Sequence, residues 1–218
     1  AAISHELNQP LAAMRTYLAG AKLLLQRKRP DEALTSFQRI DDLIGRMGAI
    51  TRQLKSYARK GGEDLIAVDV RSAIDGALEI MEPQLKARQI SISKTLPIEP
   101  VFILGDQLRL EQVMVNLVRN ALDATSTVVL PEIEILLLAD ETAILTVRDN
   151  GEGISDLNEL FEPFFTTKKP GDGVGLGLAI STGIITDLGG RLVARNGSVA
   201  GAVFQVTLPI IKNSVKEV

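Results

Sequence analysis

The sequence has no cysteine, no tryptophan and a single histidine, His5, in 218 residues. Without cysteine there is neither a disulfide scaffold nor a thiolate metal site, and the redox compartment is left open. One imidazole rules out any site that needs two. Aromatic residues make up 4% of the chain against 45% hydrophobic residues, so the core has to be built from Leu, Ile, Val and Ala. A strong charge of one sign is also missing: Lys and Arg number 24, Asp and Glu 27, and the net charge is −3. That balance gives no electrostatic footprint for nucleic acid and no basic patch for a membrane surface. No apolar run reaches the roughly 18 residues of a membrane span. The chain opens without Met or a signal-like segment, already in a helical pattern. It is therefore read as a fragment of a longer protein, with no membrane contact within the fragment.

What is present begins with two heptad series. Ile3, Leu7, Leu11, Met14, Leu18, Ala21 and Leu25 alternate steps of four and three, and Phe37, Ile40, Ile44, Met47, Thr51, Leu54 and Ala58 repeat the pattern. Each is the seam of a bundle helix. Arg27-Lys28-Arg29 suits the end of the first helix, and Pro30-Asp31-Glu32 suits the first turn of the second. Two helices alone bury one stripe poorly, so the αα-hairpin is expected to pair with a second copy as a four-helix bundle. Gly61-Gly62 breaks the periodicity. The expected division is a helical hairpin over 1–61 and a second domain over 62–212.

The second part alternates. Strands are expected at 65–70, 89–95, 101–104, 132–139, 143–148, 191–196 and 202–208, and helices at 71–88, 106–124 and 174–188, with a Gly- and Pro-rich loop over 151–173. The fold class is α+β, a helical hairpin followed by an α/β sandwich.

The chemistry-bearing residues fall in five segments. His5 lies roughly 180–240° round its helix from Leu7, Leu11, Met14 and Leu18, hence away from the seam. Glu6 is its neighbour, and a carboxylate near an imidazole can hold one nitrogen as N–H and leave the other nucleophilic. Gln9 sits one turn on. Pro10 inside the helix costs about 3 kcal/mol and loosens that turn. On the helix 106–124, Asn116 and Asn120 share a face, and their amides can ligand a hard cation or donate to phosphate. Glu111 points about 140° away from Asn116. Asp149 closes a strand before Asn150-Gly151-Glu152-Gly153. Its carboxylate can accept from an exocyclic amine, and the glycines admit close backbone approach. Taken alone the run is also an ordinary turn. Phe161, Phe164 and Phe165 lie in the loop beside Lys168, as a lid over a nucleotide or as a buried anchor. Gly173, Gly175 and Gly177 lead into an apolar helix whose free N–H groups make an anion site. No Walker Gly-Lys-Ser/Thr follows.

Ser4-His5-Glu6-Leu7-Asn8-Gln9-Pro10 resembles the H-box of sensor histidine kinases, in the variant of C4-dicarboxylate and oxygen sensor kinases. The later segments resemble that family's N, G1, F and G2 boxes, in family order, and the likeness covers roughly residues 3–209. It implies a dimeric four-helix bundle followed by an ATP-binding sandwich of the GHKL (Bergerat) type, shared with gyrase, Hsp90 and MutL. It implies autophosphorylation of His5 from ATP with Mg²⁺, then transfer to an aspartate of a response-regulator receiver domain. Glu6 becomes the acidic partner of His5, and Gln9 holds a position tied to dephosphorylating the regulator, where many relatives carry Thr or Asn. Glu111 becomes the N-box acid near the γ-phosphate. Asn116 and Asn120 become N-box asparagines, with Asn120 on Mg²⁺. Asp149 reads adenine, with Gly151 and Gly153 shaping that wall. Phe161, Phe164 and Phe165 become the F-box, with Lys168 reaching phosphate, and Gly173, Gly175 and Gly177 the phosphate loop. The likeness implies a homodimer and the cytoplasmic part of a bacterial inner-membrane sensor. Two alternatives explain less of the sequence: a GHKL-type ATPase coupling hydrolysis to conformational change, and a dimerisation module that binds nucleotide without transfer.

Overall fold

A computed structural model describes residues 2–58, 65–167 and 175–211, with side chains described outside 2–9, 46 and 49–58. The chain divides into two compact units, Ala1–Lys60 with Thr166–Leu176, and Gly61–Phe165 with Gly177–Val218.

The first unit is the expected hairpin: α1, Ala2–Gln26, and α2, Pro30–Ala58. α1 continues through Pro10. It ends as the Lys28 N–H donates to the Leu25 carbonyl and the Arg29 N–H to that of Leu24, with Lys28 at φ 56°. Positive φ at this position is the usual way to satisfy the last helical carbonyls. Asp31 and Glu32 occupy the first turn of α2, where a negative charge meets the positive end of the dipole. The heptad positions split into two groups. Ala21 and Ala33 are fully buried and Met14, Ile40 and Met47 half-buried, while Leu11, Leu18, Leu25, Phe37 and Ile44 stay exposed.

The second unit is built on a five-stranded sheet in the order β2-β4-β5-β7-β6, made of Ser91–Thr95, Glu132–Ala139, Thr142–Asp149, Ala202–Pro209 and Arg191–Asn196. Only β2 and β4 run parallel. Alternation decides its faces. Ile133, Ile135 and Leu137 on β4, Ala143, Leu145 and Val147 on β5, and Phe204, Val206 and Leu208 on β7 are all buried. The register aligns them into one apolar surface, with Leu145 opposite both Leu137 and Val206. Against it pack α3, Val70–Ala87, α4, Gln107–Ala124, and α5, Gly177–Asp187, with α4 between the other two. Each buries a stripe spaced by three and four residues: Ile74, Ala77, Met81 and Leu85 on α3, and Leu110, Val113, Met114, Leu117 and Ala121 on α4. A small antiparallel pair, β1 (Ile66–Asp69) with β3 (Phe102–Gly105), extends this core through Val68 opposite Ile103.

Two aspartates start the helices. Asp69 caps α3, accepting from the Arg71 N–H at 3.1 Å, and Asp106 caps α4, accepting from the Arg109 N–H at 3.1 Å. Asp69 also accepts from the Val101 N–H at 3.1 Å and from the Arg71 guanidinium at 2.9 Å. Burial alone would push its carboxyl up, but these bonds outweigh it and hold Asp69 below the usual carboxylate range. The α/β sandwich is as expected, and the helix expected from 174 begins at Gly177. Gly175 is the reason: its φ of 68° lies outside the helical region, so the helix cannot form until the chain has passed it.

Candidate nucleotide site

The strand β5 runs Ala143, Leu145, Val147, Asp149 along the buried face, so its last inward position carries a carboxylate where the pattern calls for an apolar group. Asp149 stands directly opposite Ile133 and is 2% exposed. Its Oδ1 accepts from the Gly151 N–H at 2.8 Å and from the Ala202 N–H at 3.2 Å. No hydrogen bond from the described residues reaches Oδ2. Burial is the largest influence on the carboxyl and pushes it above the usual aspartate range, while the two N–H groups and Arg148 pull it partway back. With Oδ1 tied to two backbone N–H groups, the second oxygen of the carboxylate is the one that can accept from a ligand.

The loop after Asp149 is tightly fixed. A Cβ on Gly151 would lie 2.4 Å from the Ala124 carbonyl oxygen, so only glycine lets the loop pass the C-terminal end of α4. A Cβ on Gly201 would lie 1.8 Å from the Asp149 carbonyl oxygen, at a φ of 74°. Asn150 and Asn196 each use both ends of a side-chain amide. Asn150 Oδ1 accepts from the Glu132 N–H at 2.9 Å while its Nδ2 donates to the Leu130 carbonyl at 2.8 Å. Asn196 Oδ1 accepts from the Ile154 N–H at 2.7 Å while its Nδ2 donates to the Ile154 carbonyl at 3.0 Å.

On α4, Asn116 Nδ2 donates to the Gly177 carbonyl and to Ser181 Oγ, both at 3.2 Å. The hydroxyl of Ser181 is fully buried. These bonds spend the NH₂ of Asn116 on the start of α5, so that only its Oδ1 is left to hold another partner. Asn120 lies one turn on along the same face, partly buried. Glu111 goes the other way. Its Oε1 accepts from Gln107 Nε2 at 2.8 Å, and it fills the space beside Gly76 of α3, where a Cβ would come within 2.7 Å of it. The structure thus brings Asn116 to α5 and Glu111 to α3, on opposite flanks of α4, as their spacing requires.

Phe161, Phe164 and Phe165 are half-buried, and Phe164 has a φ of 72°. They sit in a run of turns. Asp156 accepts from the N–H groups of Asn158 and Glu159, and the Phe165 N–H donates to the Glu162 carbonyl. The segment is folded on itself and its rings are partly covered, which fits either a lid or an anchor. Gly153 and Gly175 have φ of 81° and 68°, and Gly177 comes within ordinary contact of the Asn116 amide. The side chains of His5, Glu6 and Gln9, and the residues Lys168 and Gly173, lie outside the described set.

Ser181, Asn196 and Gly201 contact Asn116, Ile154 and Asp149 respectively, and the sequence alone did not single them out. A glycine beside a hairpin was the only signal for Gly201, and nothing local distinguishes Ser181. A cavity of about 740 Å³ opens between α3 and β2, lined by Leu78, Leu85, Ile90 and Ile92 among others, and no candidate residue lines it. Among the described residues no three His, Asp or Glu side chains gather as a metal cluster, and no helix is long and apolar enough to cross a membrane.

An acceptor at a strand end, a glycine-walled loop beside it and a helix N-terminus facing an asparagine amide suit a base, its sugar and its phosphates respectively. Comparison with known proteins agrees. Residues 105–212 match the family described as histidine kinase-, DNA gyrase B- and HSP90-like ATPases, which implies ATP use, and residues 1–63 match the His kinase A phospho-acceptor domain. The C4-dicarboxylate transport sensor protein DctB of Pseudomonas aeruginosa is 39% identical over 95% of this chain, and the sensor protein FixL of Bradyrhizobium diazoefficiens is 32% identical over 95%. The chain spans 35% and 42% of the lengths of those two relatives. The histidine kinase ThkA, solved in complex with the response regulator protein TrrA, shares the fold. Its TM-score is 0.72 at 22% identity, over 96% of this chain and 60% of that one.

Proposed function

This chain belongs to the sensor histidine kinases, as their phosphoacceptor hairpin joined to their GHKL-type ATP-binding domain, and on that premise we propose that it transfers the γ-phosphoryl group of ATP to His5 and then to an aspartate of a response-regulator receiver domain. The single observation that carries the proposal is the buried carboxylate of Asp149 at the inward end of β5, fixed through Oδ1 by the Gly151 and Ala202 N–H groups. In this reading its Oδ2 accepts from the exocyclic amine of adenine. Gly151 and Gly153 let the backbone approach the ring, and the first N–H groups of α5, reached through Gly175 and Gly177, receive the phosphates. Gly173 and Lys168 complete the phosphate contacts, and Phe161, Phe164 and Phe165 carry the segment that shields them.

The donor set on α4 fits a hard cation. Asn116 commits its NH₂ to Gly177 and Ser181 and so offers only its oxygen, and Asn120 supplies a second amide on the same face. Bound there, Mg²⁺ would neutralise the charge that develops on the phosphoryl group during transfer. Asn120 is its protein ligand in this reading. Glu111 acts through position: its carboxylate fixes the α3–α4 contact at Gly76. Glu6 holds one imidazole nitrogen of His5 as N–H. The other nitrogen forms the new N–P bond, the bond from the γ-phosphorus to the bridging oxygen breaks, and ADP leaves. Gln9 bears on the reverse, dephosphorylating step. ThkA was solved with a response regulator, which supports a receiver domain as the partner here. The phosphoacceptor family of the hairpin supports a homodimer. In this reading the chain is the cytoplasmic part of a larger receptor, consistent with the sensor relative DctB, of which it spans 35%.

Titration calorimetry with ATP and Mg²⁺ tests the carrying observation. Asp149→Asn turns the open acceptor into a donor, and it is expected to remove measurable ATP binding and with it phosphorylation of the chain. Wild-type affinity in Asp149→Asn would refute the site.

A further inference from the structure

We infer that Asn196 is a positioning residue for the base-reading end of this site: its amide clamps Ile154 and thereby holds the Asp149–Ile154 segment in the shape that presents the Asp149 carboxylate to adenine. The inference rests on the proposed reading of Asp149 and assigns a residue that reading does not use.

Three observations carry it. First, one rung of the β6–β7 hairpin grips both ends of the segment. Asn196 and Ala202 are direct register partners. The Ala202 N–H holds Asp149 Oδ1 at 3.2 Å, at the start of the segment, and the Asn196 amide holds both backbone groups of Ile154, at its end. Second, the clamp determines its neighbour. Gly153 has a φ of 81°, and a Cβ there would sit 2.9 Å from Asn196 Oδ1, so the clamp and any larger residue at 153 exclude each other. Third, Asn196 is itself exposed. Its side chain fills no core space, and removing it takes away two hydrogen bonds without leaving a cavity. Asn150 makes the matching clamp on the opposite side, to Glu132 and Leu130. The loop is therefore suspended between β4 and β6 by two amides, each acting as an extra rung of the sheet. An amide that accepts from and donates to the same residue fixes both the distance and the twist of that backbone, which a single hydroxyl cannot do.

The test uses the whole chain. Asn196→Ala is expected to weaken ATP binding about tenfold by calorimetry, equivalent to about 1.4 kcal/mol. Asn196→Ser, which keeps one of the two bonds, is expected to fall between Asn196→Ala and wild type. Amide exchange at Ile154 should speed up in Asn196→Ala, the melting temperature should stay within about 2 °C, and the phosphorylation rate at saturating ATP should stay within about twofold. ATP affinity within twofold of wild type overturns the inference, as does a loss accompanied by a lower melting temperature or a tenfold slower saturated rate. Asp149→Asn separates the two claims. If it binds ATP like wild type, the reading of Asp149 fails. If it does not and Asn196→Ala does, only the role of Asn196 fails.

Discussion

At the residue scale the site turns on one carboxylate in an apolar row. The inward positions of β5 read Ala, Leu, Val, Asp, and that break in alternation was visible in the sequence. The partners of Asp149 were not visible. Ala202 lies 53 positions away in the chain, Asn196 lies 42 from Ile154, and Ser181 lies 65 from Asn116, so only the folded chain brings them together. The buried charge also has a stability consequence. A folded-state pKa above the ordinary aspartate value means that the folded chain holds the proton more tightly than the unfolded chain. Stability therefore falls as pH rises from the ordinary value through the raised one. Asp149→Asn removes that penalty. It is predicted to melt at a higher temperature than wild type at pH 7, with the advantage shrinking on acidification, even as it loses ATP. A lower melting temperature at pH 7 would contradict this account of the burial.

At the element scale, periodicity located every helix and strand in the described second unit, because each buries a single face. The start of α5 escaped it, since a helical pattern cannot register the left-handed Gly175 that delays the first turn. Two substitutions test what the elements depend on. Asp69→Ala removes the cap of α3 and the partner of the Val101 N–H. It is predicted to destabilise the chain by about 1–2 kcal/mol at neutral pH. Because the Asp69 carboxyl is held low, that contribution is present above the ordinary aspartate value and lost as pH falls through the lowered one. Denaturant melts of the two proteins should therefore converge in acid. Gly183 lies inside α5, is exposed, and has nothing within 4 Å of a would-be Cβ. Gly183→Ala is predicted to stabilise by about 1 kcal/mol, a rise in melting temperature of about 2–4 °C, with ATP affinity unchanged.

At the scale of the whole molecule the hairpin is incomplete by itself. Of the heptad positions along α1, Met14 and Ala21 turn inward while Leu11, Leu18 and Leu25 remain exposed at intervals of seven. In the proposed homodimer a second copy would supply the missing half of the seam. Leu18→Glu puts a charge into that seam, and sedimentation of the variant should shift from dimer to monomer with ATP affinity unaffected. A dimer that survives the change would place the interface elsewhere. The exposed stripe was legible in the sequence because a heptad repeat is its own signature.

The measurement that bears most directly on the central claim is the position of the transferred phosphate. After incubation with γ-labelled ATP and Mg²⁺, the account predicts one label per active chain, labile in acid and stable in base, mapping by mass spectrometry to His5 and absent from His5→Gln. Acid-stable label on a hydroxyl residue, or undiminished labelling of His5→Gln, would contradict it.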